Sequence, residues 1–164
     1  MIRWKVFKKN SERGQSFLEL AISLVFLLIL LAALVDLGWA FYTLIALRDA
    51  AQEAAVYGSM CPNHTDFIVD RLQTASNSPI DLSELTLENG QIVICVIDPA
   101  NPVDSCADAP VITPQINYNI RIEAEVTHTI HTPFAATFIG RTSYPLRVDV
   151  TDTIMHIGDD DECK

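Results

Sequence analysis

The chain has 164 residues, room for one modest domain beside a membrane segment, and a net charge of −10 from 21 acidic and 11 basic residues. An acidic surface of that size repels phosphate backbones, which argues against nucleic-acid binding, and its ordinary physical role is solubility. The charge is unevenly placed: residues 1–14 hold Arg3, Lys5, Lys8, Lys9 and Arg13 against Glu12 alone, a net of +4, leaving −14 for the rest.

The sequence predicts three regions: a basic leader over 1–14, a helix over 15–58, and an acidic domain over 59–164. From Leu20 to Leu47 the only clearly polar side chains are Ser23, Asp36 and Thr43, and Leu20–Val35 is uncharged. A bilayer core of roughly 30 Å needs about 20 such helical residues. Basic residues ahead of a span stay in the cytoplasm, which puts the acidic remainder outside the cytoplasm. Asp36 lies about 25 Å along the helix from Glu19, near the outer interface. With Trp39, Phe41 and Tyr42 behind it as an aromatic belt, Asp36 is expected to mark the membrane boundary.

The helix is expected to run past the membrane. Residues 48–57 are rich in helix formers, and Ala46, Ala50, Ala54 with Leu47, Ala51, Ala55 recur at four-residue steps on one face. Gly58 reads as the C-cap, with Pro62 soon after. A helix over 15–57 spans about 65 Å, so its second half projects outward. Beyond it, Asp66–Ala75 predicts a short helix and 77–79 a loop. Strands are predicted over Gln91–Ile97, Ile116–Ile130 and Leu146–Ile154, from β-branched content and period-two alternation. Thr132-Pro133 breaks the second strand, and the tail from Gly158 is expected to be solvated. The expected fold class is α+β: a long transmembrane helix packed against a small antiparallel sheet.

Four cysteines, Cys61, Cys95, Cys106 and Cys163, all follow the span, and three pairings are open. Cys95 and Cys106 flank the Pro-rich turn 98–102, which favours that bridge and leaves Cys61 with Cys163. No Cys-x-x-Cys spacing points to zinc or thiol redox chemistry. His128 and His131 are three apart on a predicted strand, which sends them to opposite faces, so no metal site is expected. Asp159–Glu162 lacks the spacing of a calcium loop. Asn63-His64-Thr65 is a formal glycosylation sequon that reads as accidental. No nucleophile, phosphate-loop or paired-carboxylate pattern appears, so neither enzyme activity nor a cofactor is expected.

The informative motif is Arg13-Gly14-Gln15-Ser16-Phe17-Leu18-Glu19 running straight into the apolar stretch. It resembles the type IV prepilin cleavage site. The resemblance implies cutting after Gly14 by a membrane-embedded prepilin peptidase, with Gln15 as the new N-terminus and Glu19 as fifth residue. Gly14 suits an extended scissile bond. A carboxylate at Glu19 costs a few kcal/mol at the start of a membrane helix unless it is paired. In pilin assemblies the new α-amine supplies that partner.

A narrower resemblance rests on Glu19-Leu20-Ala21, Val35-Asp36-Leu37-Gly38, Ala40-Phe41-Tyr42 and Ala50-Ala51-Gln52-Glu53-Ala54-Ala55. These residues are similar to the TadE-like domain of tight-adherence pilus systems. Two positions depart from that pattern: Val25 stands where a proline is usual, and Trp39 where an arginine often follows the glycine. The resemblance implies a minor pilin or pseudopilin of pilus assembly. Its partners would be a prepilin peptidase, other pilins, the assembly platform and the lipid bilayer. The alternative is an uncleaved single-pass membrane-anchored assembly or adhesion factor.

Overall fold

The computed structural model describes residues 11–76, 80–132, 136–137, 140–158 and 161–163, and only the backbone of 11–14. One helix dominates. α1 runs Ser11–Met60 without a break, 50 residues or about 75 Å. Its apolar stretch contains neither proline nor an internal cap, so nothing in it stops the hydrogen-bond ladder. Side chains from Phe17 to Val35 are almost all exposed, as suits a helix solvated by lipid.

After Val35 one face of α1 becomes buried. Asp36, Ala40, Thr43, Leu47, Ala50, Ala51, Ala54 and Ala55 form a stripe at three- and four-residue steps, all at 9% exposure or less. The alanines within it let a sheet approach the helix closely. α2, Thr65–Thr74, lays Ile68 and Leu72 into the same core.

The sheet is a three-stranded antiparallel meander: β1 Ile92–Ile97, β2 Asn119–Thr129 and β3 Ser143–Thr153, in that spatial order. The register sets Ile94 beside Ile122, and Ala124 beside Val148. Ile120, Ile122 and Ala124 join the core formed with α1, while the alternate residues Arg121, Glu123 and Glu125 lie on the opposite face. β2 starts later than its alternation suggested because Asn117 takes a left-handed backbone, φ 71°, which turns the chain just before the strand. β3 starts earlier and includes Pro145, which an outer strand tolerates because one row of its amides needs no partner. The predicted loop at 77–79 lies outside the described residues.

Two sequence expectations fail here. Gly58 does not cap α1. It lies inside the helix, buried, where an added Cβ would come within 2.7 Å of Ile120 Cδ1 and 3.2 Å of Ile68 Cδ1. It is a contact point for sheet and second helix. The tail is also not simply solvated. Met155 N–H donates to Ser59 O at 3.1 Å and Gly158 N–H to Met60 O at 2.9 Å, and Cys163 is fully buried in a disulfide with Cys61.

Candidate functional site

The described side chains in the N-terminal half of α1 are almost all exposed. That half is an apolar cylinder whose chemistry is confined to its first turns. Gln15 and Glu19 stand four residues apart, one above the other on one face, and Glu19 is exposed. The backbone across Gly14–Gln15 is helical, not extended as the motif suggested. A peptidase acting there must first unwind this end. Glycine weakens that turn by roughly 1 kcal/mol relative to alanine. Arg3, Lys5, Lys8 and Lys9 lie outside the described residues, as does the side chain of Arg13.

The uncharged stretch of the helix ends at Asp36, whose side chain is tied to a distant part of the chain. Its carboxylate accepts the Thr132 backbone N–H at 3.0 Å and a short hydrogen bond from the Thr132 hydroxyl. Residues 96 apart in sequence are thereby tied together, and the chain leaving β2 closes on the helix like a collar. A carboxylate that is 9% exposed needs such donors. No sequence signal named Thr132 as the partner, although an isolated acid in an apolar helix does signal that some donor must exist.

His128, 5% exposed, packs beside the tie, with its ring 5.3 Å from Tyr144 and 6.2 Å edge-on from His131. The two histidines therefore meet, against the expectation of opposite faces: β2 ends at Thr129, and beyond it alternation no longer fixes where His131 points. Among the described residues His128 Nε2 has no hydrogen-bond partner. Burial pushes its imidazole below the ordinary pKa, His131 pushes the same way, and Asp36 opposes both. The described residues contain no group of three ligands placed to hold a metal ion. Trp39 and Tyr42 stand exposed on α1 with ring centroids 6.4 Å apart. On the side away from the sheet, Leu37, Phe41 and Ile45 extend the apolar surface past Asp36.

At the other end of the sheet, Cys95 and Cys106 are bonded, with Cα atoms 5.5 Å apart. The loop they close is also held by side chains of β2. Glu123, 6% exposed, accepts the Cys106 N–H at 2.7 Å, while Arg121 donates to Val103 O at 3.0 Å and to Asp104 O at 2.7 Å. Sequence reading missed both roles, since charged residues alternating with apolar ones on a strand ordinarily face water. Cys61 and Cys163 have Cα atoms 5.9 Å apart, and the Tyr57 hydroxyl donates to Cys163 O at 2.9 Å. A shallow depression lined by Ile97, Asp98, Asn101 and Ile112 lies by the Cys95–Cys106 loop and gathers no set of titratable groups.

Residues 14–56 match the TadE-like protein family. The TadE-like segment begins at Gly14 and covers the exposed apolar helix and the whole of the buried stripe from Asp36 to Ala55. It takes in about a quarter of the chain and none of the sheet. No curated protein and no solved structure matches.

Proposed function

We propose that this protein is a minor pilin or pseudopilin of tight-adherence pilus assembly, cut after Gly14 by a prepilin peptidase. The TadE-like match supports a protein related to that pilus. One observation carries the reading: the matched segment is a single unbroken helix with an exposed apolar first half and a second half bearing a disulfide-bonded domain. That is a part made to sit in a bilayer and pack laterally against other helices, with its folded domain outside the cytoplasm. Gln15 would become the N-terminus, with Glu19 one turn away to meet its amine. Other pilins and the assembly platform would be its partners. Intact mass of membrane-extracted protein decides the processing step. A mature species beginning at Gln15 is expected, with Gly14→Val blocking the cut. A dominant species retaining residues 1–14 beside an active peptidase would overturn it.

A second reading, an uncleaved membrane-anchored assembly or adhesion factor, draws on the helical backbone across Gly14–Gln15, which no protease can cut without unwinding it. The same mass measurement separates the two.

A further inference from the structure

β1 is an outer strand, and its register fixes what the free edge offers. Glu125 N–H donates to Gln91 O at 2.8 Å, so Gln91, Val93, Cys95 and Ile97 turn their amides and carbonyls toward β2. Ile92, Ile94 and Val96 turn theirs away. The Ile92 N–H donates to Thr86 O at 3.3 Å, and among the described residues no backbone partner meets the Ile92 carbonyl or the N–H and C=O of Ile94 and Val96. By the same alternation β3 turns out the backbone of Pro145, Arg147 and Asp149, whose side chains are exposed, so a proline and two charges blunt that edge. β1 has neither charge nor proline. It is also held in place: Cys95 is bonded to Cys106, and Glu123 on the next strand accepts the Cys106 N–H. Acids flank the open row, with Glu84 and Glu88 on either side of Thr86 and Asp98 just past Ile97.

We propose that the outer edge of β1 is a docking site for an extended segment of another protein, which adds a strand to the sheet by pairing with Ile94 and Val96. The segment that fits has an uncharged, β-branched centre to lie along β1 and basic residues at its ends to meet Glu84, Glu88 and Asp98. Main-chain hydrogen bonds supply the attraction, and the flanking charges select the partner. A second copy of this chain does not fit. Gly58 lies against Ile120 and Asp36 bonds Thr132, so β2 runs back along α1 and β1 runs in the direction of α1. Two β1 edges paired antiparallel about a twofold axis would point their α1 helices in opposite directions, which copies anchored in one bilayer do not allow. Parallel pairing needs a one-residue offset that breaks the symmetry of a closed dimer. The exclusion of a second copy rests on the reading of α1 as a membrane anchor, whereas the open edge does not.

The full chain, disulfides intact, is reconstituted in nanodiscs of neutral lipid and titrated with a fluorescent peptide, Lys-Val-Thr-Ile-Thr-Val-Lys, followed by anisotropy. Saturable binding is expected, with amide exchange slowed at Ile94 and Val96 and unchanged at Arg147 and Asp149. Methylating the peptide's central backbone nitrogens leaves its side chains intact and should weaken binding about ten-fold or more. Val96→Pro deletes an outward N–H and no bond to β2, so it should weaken the unmethylated peptide several-fold while near-ultraviolet dichroism stays the same. Exchanging both lysines of the peptide for glutamate should also weaken it, and salt should narrow that gap. Equal affinity for the methylated peptide, or no saturable binding, would overturn the docking edge whether or not Val96→Pro folds. The same slowing of exchange without peptide, in discs loaded with two copies and not in discs with one, would make a second copy the occupant and overturn the partner.

Discussion

Glycine shows how little a residue's identity says without its surroundings. At Gly38 nothing lies within 4 Å of where a Cβ would be, whereas at Gly58 one would press on Ile120, which is itself fully buried. In a helix interior alanine gains about 1 kcal/mol over glycine. Gly38→Ala should therefore stabilise slightly. At Gly58 overpacking of about 1–3 kcal/mol outweighs that gain, so Gly58→Ala should destabilise. Urea titration of the detergent-solubilised protein, followed by near-ultraviolet dichroism, checks both signs, and a stabilising Gly58→Ala would refute the packing. Asp36→Ala should cost about 1–3 kcal/mol by stranding the Thr132 donors, and it should raise amide exchange at Thr132. His128 carries a pH dependence. Its folded-state pKa lies below the ordinary 6.5, so the unfolded chain binds more protons across that window and stability rises with pH. The contribution is full above the unfolded value and is lost as pH falls through the depressed one. Asp36, His131 and Tyr144 also face the ring, so the informative quantity is a difference. The melting temperature should fall less between pH 7.5 and 5.5 in His128→Phe than in wild type, and equal falls would exclude the histidine.

Among elements, the two disulfides differ in the size of loop they close. Cys95–Cys106 spans 11 residues and braces one loop, while Cys61–Cys163 spans 102 and ties the C-terminal segment to the end of α1. Loop-closure entropy gives about 3 kcal/mol for a short loop and about 4.7 for one near 100 residues. Replacing Cys61 and Cys163 together by serine should therefore cost more than replacing Cys95 and Cys106, with denaturant melts giving the order. It should also expose Gly158, whose Cβ position lies 2.6 Å from Cys163 Sγ, and release the Gly158–Met60 hydrogen bond. Alkylation without reductant should leave all four cysteines unmodified. Labelling of any pair in protein taken directly from cells would contradict its bridge.

For the whole molecule the question is whether the chain stands alone or joins an assembly, and Glu19 discriminates. On a solitary anchor Glu19 is an exposed carboxylate near the interface, so Glu19→Ala should be neutral or favour insertion slightly. In an assembling subunit the same change strands the Gln15 amine in an apolar contact, and an unpaired buried charge costs several kcal/mol. Incorporation into the surface fraction should then be lost while cleavage after Gly14 persists. Equal incorporation of wild type and variant, at matched expression and processing, would count against the assembly role.

Periodicity and composition by themselves determined the long helix, its buried alanine stripe, the short second helix and the three strands, because each pattern is local and repeats along its own element. The TadE-like segment was legible for the same reason, as leader charge, Gly14, Glu19 and apolar run are contiguous. Tertiary structure alone decided what the isolated polar residues do. Asp36 is tied to Thr132, 96 residues away, a partner no local pattern names. Gly58 reads as a cap until Ile120 and Ile68 close on it, and Arg121 and Glu123 read as solvated until the Cys95–Cys106 loop folds over them. Each of those roles depends on a partner distant in sequence, and pairing between distant residues is fixed by packing and leaves no period to read.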